Sequence, residues 1–230
     1  MSKINFQDDQ DLFGRLSVFT GDPIFHQLRN AADIEGVDLN DAFSWGQLKS
    51  KRWLVEELSK LNLDLGTVFL CAGWYATLAS MLFKSQCKID KIRSFDIDHN
   101  CALVADTVNR SLVADGWKFK ASTLDIHDIV YPLTYQTTRF DKTIAELTDA
   151  PATIINTSCE HIEDFDIWYN KIPAGKILVL QTNNYFEIAD HINCAASLES
   201  FATQTPMSQE LFSGELNLTK YTRYMRIGIK

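Results

Sequence analysis

The chain is poor in the features that classify a protein quickest. It holds only five prolines and ten glycines in 230 residues, which excludes a collagen-like repeat and a Pro/Gly-rich linker. No run approaches the roughly 18 apolar residues that would cross a bilayer, so no membrane partner is expected. The five cysteines, at 71, 87, 101, 159 and 194, form no CxxC pair. Free thiols in a reducing compartment fit that pattern better than disulfides. The opening stretch MSKINFQDDQDLFGRL lacks the apolar core of a signal peptide, which points to a cytoplasmic location. Basic excess is also missing: 30 acidic residues face 22 basic ones, for a net charge of −8. A protein that grips duplex nucleic acid must neutralise phosphates, so no duplex partner is expected. Two small basic clusters, Lys49/Lys51/Arg52 and Lys220/Arg223/Arg226, read as a solvated helix face and an outward strand face.

What is present is ordinary globular material, 46% hydrophobic and 23% charged, long enough for one α/β domain with a sizeable core. Residues 1–62 read as a helical cap, because DPIFHQLRNAADIEG and WGQLKSKRWLVEELSKLN carry apolar residues three and four apart. Asp22 before Pro23 has the form of a helix start. Residues 63–230 then alternate strand-like and helix-like runs. TVFLCA is followed by the helical WYATLASMLFK, KIRSFDID by HNCALVADTVNRSLVA, and WKFKASTLDI by a mixed segment with a helix expected near Phe140–Leu147. PATIINTS and KILVLQTN give a fourth and a fifth strand. CAASLESFATQ reads as helix, and GELNLTKYTRYMRIGIK as two closing strands with no helix between them. That order predicts a Rossmann-like, mostly parallel sheet with helices on both faces and an antiparallel last strand.

In such sheets ligands bind beyond the carboxyl ends of the strands. Gly73 ends the first strand, where a tight turn can bring backbone close to a ligand, and a helix from Trp74 would aim its N–H groups there. Asp96 ends the second strand, 23 residues later, at the spacing where a carboxylate accepts from a ribose hydroxyl pair. Asp98, two residues on, also reads as the cap of the helix that starts near Asn100. Asp125, between Leu124 and Ile126, ends the third strand.

This order resembles the class I S-adenosylmethionine-dependent methyltransferases over about residues 65–185. VFLCAGWYA stands at that family's first motif, SFDIDHNCALVAD at its acidic strand end, ASTLDI at its adenine loop and ATIINTSCEHI at its strand-four loop. The first motif is reduced: Leu70 stands at the usual acidic place, and Gly73 is its sole glycine among Ala72, Trp74, Tyr75 and Ala76. The resemblance implies a seven-stranded sheet and S-adenosyl-L-methionine as cofactor. It places Ala72, Gly73, Trp74, Tyr75, Asp96, Ile97, Asp98, Leu124, Asp125, Ile126, Asn156 and Thr157 around that cofactor. Trp74 and Tyr75 read either as core packing or as rings facing the sulfonium.

The densest polar cluster follows the fourth strand, in NTSCEHIEDFDIW. Glu160 or His161 is a candidate general base, and Cys159 a candidate nucleophile. Asn156 stands where amino-methylating relatives hold an amine, without the prolines that follow it there. A helix capped by Ser158 and running to Trp168 is the structural alternative. Cys159, His161 and Asp164 lack a zinc spacing, so no metal is expected. Gln181, Asn183, Asn184 and Tyr185 could touch substrate, whereas His191 reads as a surface or packed polar residue. Lys49 or Lys51, in SWGQLKSKRW, could fold over the cofactor's carboxylate. The expected function is methyl transfer to a small-molecule or protein acceptor. The alternatives are another transferase using the same cofactor, or a non-catalytic binding module or partner subunit. Homo-oligomerisation is left open.

Overall fold

The computed structural model describes residues 6–230, with side chains from residue 12 onward. The expectation placed on the first five residues lies outside the described residues. The sheet is built around β1 (Asp64–Cys71), whose Val68, Phe69, Leu70 and Cys71 are each no more than 2% exposed. A strand covered on both faces must be apolar along its buried length, and VFLC is. β2 (Lys88–Asp96) and β6 (Thr153–Asn156) flank it in parallel, with Val68 opposite Ile92 and Thr153. β3 (Phe119–Thr123) extends the sheet beyond β2. β7 (Ile177–Asn183), β8 (Gln209–Asn217) and β9 (Thr222–Ile229) complete the order β3-β2-β1-β6-β7-β9-β8. β9 is antiparallel to both neighbours, as the closing strand pair implied.

Alternate side chains of β1 feed two cores. Val68 and Leu70 pack with Leu54 and Leu58 of α3 (Trp45–Leu61) and with Leu78 and Leu82 of α4 (Thr77–Phe83). Phe69 and Cys71 face the opposite layer, where Trp168 and Tyr169 of α7 (Phe165–Lys171) and Phe201 of α8 (Leu198–Gln204) are buried. α1 (Phe6–Thr20) leads into α2 (Ile24–Ala32), which packs Leu28 and Ala31 on Val104 and Val108 of α5 (Cys101–Val108). Asp22 accepts from Ile24 N at 3.0 Å at the start of α2. A short α6 (Arg110–Ala114) continues after α5, so the second helical run is broken in two. No helix among the described residues is long and apolar enough to cross a membrane.

Three expected elements differ. The helix near Phe140–Leu147 is instead a hairpin of β4 (Leu133–Thr138) and β5 (Ile144–Asp149). LTYQTT alternates buried and exposed residues, the period of a strand. Asp149 anchors the hairpin by accepting from Arg93 Nε at 2.8 Å and Tyr135 OH at 3.0 Å. The helix expected from Trp74 begins only at Thr77. The helix expected from Ser158 is a 3-10 turn at Cys159–His161, followed by α7 from Phe165. The basic clusters also differ, because Lys51, Arg223 and Arg226 are buried. Arg226 donates to Glu210 Oε2 at 2.7 Å rather than facing outward.

Candidate functional site

The loop after β1 is shaped by backbone that L-residues rarely adopt. Ala72, Trp74 and Ala76 have φ of 51°, 49° and 48°. These left-handed positions alternate, and none is glycine. Gly73 serves another purpose: a Cβ there would lie 2.1 Å from Ser94 Oγ on β2 and 3.1 Å from Leu70 Cγ. Its missing side chain lets the loop lie against the neighbouring strand, where Gly73 N donates to Phe95 O at 3.1 Å.

Asp96 organises the same loop from the end of β2. Its Oδ2 accepts from Trp74 N at 2.8 Å and its Oδ1 from Asp98 N at 3.1 Å. Burial pushes its carboxyl above the ordinary range, against the pull of those N–H groups. Each oxygen retains acceptor capacity on its open side.

A cleft of about 430 Å³ opens beyond the ends of β1, β2, β3 and β6, lined by Ala72, Asp96, Ile97, Asp125, Ile126 and His161 among others. Ile97 is 70% exposed, a large apolar side chain left uncovered at the rim. Asp125 accepts from His127 N at 2.8 Å, which fixes the turn that presents Ile126.

The remaining residues named from the sequence do not line this cleft. Trp74 and Tyr75 stack on each other with ring centroids 4.7 Å apart, and Tyr75 packs against the α2–α5 cluster. Leu124 packs on the core. Asp98 caps the next turn, accepting from Asn100 N at 2.9 Å; that bond lowers its carboxyl's pKa. Asn156 is buried and accepts from Ser158 N at 2.8 Å, and Thr157 O accepts from Arg223 at 3.2 Å. Both shape the strand-four loop rather than line the cleft.

The three candidates for chemistry separate sharply. Cys159 is fully buried, and desolvation pushes its thiol well above the usual range, which does not fit a nucleophile. Glu160 is 2% exposed, and its Oε1 accepts from Arg223 Nη1 at 2.7 Å and Asn183 Nδ2 at 2.6 Å. With Oε1 taken by two donors and the side chain buried, Glu160 does not fit a free general base. His161 is exposed and borders two clefts, the one above and a second of about 640 Å³.

That second cleft lies over β7 and the start of α3, with Trp45, Lys49, Tyr185, His191 and Tyr221 in its walls. Lys49 therefore stands beside the neighbouring cleft rather than over the first. Lys51 is buried with Nζ donating to Gln47 Oε1 at 2.8 Å, and burial lowers its pKa to about 8. Asn183 and Tyr185 reach this cleft, while Gln181 is buried and does not line it. His191 is the residue that sequence reasoning undervalued: its ring meets that of His161 edge to face, with centroids 4.6 Å apart. No local spacing could signal that meeting, because 30 residues separate the two.

No protein-family profile and no curated protein sequence matches the chain. Solved structures do. Magnesium protoporphyrin IX methyltransferase from Synechocystis PCC 6803, solved with bound S-adenosylmethionine, is similar with a TM-score of 0.59 at 11% identity, over 100% of this chain and 99% of that one. The N-methyltransferase NodS from Bradyrhizobium japonicum WM9 is similar with a TM-score of 0.52 at 12% identity, over 82% and 98%. A geranyl diphosphate methyltransferase is similar with a TM-score of 0.54 at 11% identity, over 80% and 78%. The fold of this chain is that of the class I S-adenosylmethionine-dependent methyltransferases.

Proposed function

We propose that this protein is an S-adenosylmethionine-dependent methyltransferase acting on a small-molecule acceptor. The observation that carries the reading is the cleft at the strand ends, with the half-satisfied Asp96 carboxylate in its wall and His161 shared with a second cleft. The residues fit the cofactor. Asp96 would accept from the ribose hydroxyls, Ile97 and Ile126 would cover the adenine faces, and Asp125 would accept from its amino group. Bound S-adenosylmethionine supplies a methyl group already activated by its sulfonium.

The chain's own work is therefore positioning and exclusion of water. Trp45, Tyr185 and Tyr221 give the second cleft broad aromatic walls, suited to a compact acceptor with an apolar face. His161 would act on the acceptor side, since it is the chemically active side chain that both clefts share. Calorimetry tests the reading: micromolar binding of S-adenosylmethionine or S-adenosylhomocysteine is expected, with little or no binding of NAD. The reverse preference overturns it.

A further inference from the structure

Glu160, His161 and His191 each offer one ligand atom, and these atoms lie within 4.8 Å of one another. The loops that carry them are tied together: Asn193 N donates to Glu160 O at 2.8 Å, and Asn193 Nδ2 to Cys159 O at 3.0 Å.

The hydrogen bonds around the trio leave lone pairs free. His161 Nδ1 lies 3.0 Å from Asp190 O, and His191 Nδ1 lies 2.8 Å from Tyr185 O. A carbonyl oxygen only accepts, so each Nδ1 carries the proton and each Nε2 keeps its lone pair in the neutral ring. Metal-binding histidines are oriented in this way, with the second nitrogen donating to a carbonyl or carboxylate. Glu160 completes the set. Its Oε1 is taken by Arg223 and Asn183, but its Oε2 is buried with no partner. A buried carboxylate oxygen left unpaired is costly, and the ion pair with Arg223 accounts for only the other one.

We propose that Glu160, His161 and His191 form a binding site for a divalent first-row transition ion of the zinc type. Two imidazoles and one carboxylate suit such an ion, whereas magnesium and calcium prefer all-oxygen shells. Arg223 and Asn183 would hold the ligating carboxylate from behind. Arg223 also withdraws part of its charge, so the site is weaker than a closed structural zinc site. Three protein ligands leave a coordination position open, and all three side chains line or border the 640 Å³ cleft. One extension rests on the methyl-transfer reading. An acceptor hydroxyl or thiol held there would lose its proton to water, then form a bond to the methyl carbon as the carbon–sulfur bond breaks and its electron pair passes to sulfur.

The site itself is tested without cofactor or acceptor. The full chain is stripped with a chelator, then dialysed against Zn²⁺ with elemental analysis, and titrated with Co²⁺ while its visible absorption is followed. One equivalent of Zn²⁺ and tetrahedral-type Co²⁺ bands are expected, with a Zn²⁺-dependent rise in thermal midpoint. Loss of a ligand should weaken binding by at least about a hundredfold in His161→Ala and in His191→Ala, beyond the cost typical of an outer-shell partner. No binding at about 100 µM metal, or binding that survives both substitutions, overturns the proposal. Either failure leaves the cofactor calorimetry untouched, and failed calorimetry leaves the metal titration untouched. Activity separates the roles further: a lone general base needs His161 alone, whereas a metal site loses turnover equally in both variants.

Discussion

Asp96→Asn isolates the contact on which the cofactor reading depends. The substitution keeps the size of the side chain and one oxygen, so the 2.8 Å bond from Trp74 N can survive. The second oxygen, which accepts from Asp98 N at 3.1 Å, becomes an NH₂ group. Two effects on the empty protein oppose each other. One N–H loses its acceptor, and the burial that raises the carboxyl's pKa no longer acts on a charge. Little change in thermal midpoint follows. Binding does not cancel in this way. A hydrogen bond to a charged acceptor is worth about 1.5–3 kcal/mol, so losing one ribose contact weakens affinity roughly 10- to 150-fold. The assay is calorimetry with S-adenosylhomocysteine, with circular dichroism to show that the variant is folded. The native protein's affinity should also fall as pH drops through the raised Asp96 pKa, because the ribose hydroxyls then meet a protonated acid. A folded variant that binds within about threefold of the native protein refutes the contact, and a larger loss from Asp125→Asn would move it to the β3 loop.

The other predictions concern charge and backbone. Lys51 is held at about 8 instead of 10.5, so between those values the unfolded chain binds more protons and stability rises with pH, by about 3 kcal/mol in all. Lys51→Met should abolish that rise and stabilise the protein at pH 7; a flat native profile from pH 8 to 10 refutes it. Ala72→Gly should leave stability unchanged or raise it by up to about 1 kcal/mol, because Ala72 sits at a φ of 51°; a clear fall in the denaturation midpoint refutes that conformation. Duplex DNA should not bind at physiological salt, since the net charge is −8 and three of the six clustered bases are buried. A submicromolar gel shift refutes it.

The β-strand ends were legible because their signals are local. TVFLCA, KIRSFDID and PATIINTS are short apolar runs with polar residues at one end, and a parallel strand buried on both faces requires that pattern. The helix expected near Phe140–Leu147 is instead a hairpin, in a mixed segment with no single dominant period. The alternation of LTYQTT and the turn before Ile144 are its strand signals. Charge is hidden from a local window for a different reason. Lys51 and Arg223 look like surface residues in a window, but their partners arrive from afar: Arg223 pairs with Glu160, 63 positions away. The candidate site shows the same divide. Asp96, Ile97, Asp125 and Ile126 follow from strand ends, whereas the meeting of His161 with His191 depends on two loops that only the sheet order brings together.

The reduced first motif is the place where local rule and observed structure conflict most. An L-residue in the left-handed region costs about 1–2 kcal/mol, and the loop spends this at Ala72, Trp74 and Ala76. Such geometry persists only where the surroundings over-determine it. Here they do so with a bond at nearly every step: Gly73 N to Phe95 O at 3.1 Å, Trp74 N to Asp96 Oδ2 at 2.8 Å, and Ala76 N to Gly73 O at 2.8 Å. Asn109 Nδ2 closes the far end on Ala76 O at 3.2 Å. The loop thus keeps a shape that glycines would adopt freely, and holds it by anchoring. Asp96 is the anchor that also faces the cleft. Its removal would therefore act twice, on the ribose contact and on the loop that forms the cleft's edge. Asp96→Ala, which keeps neither oxygen, should lose more affinity than Asp96→Asn, because a loop freed from its acceptor must be ordered again each time a ligand binds.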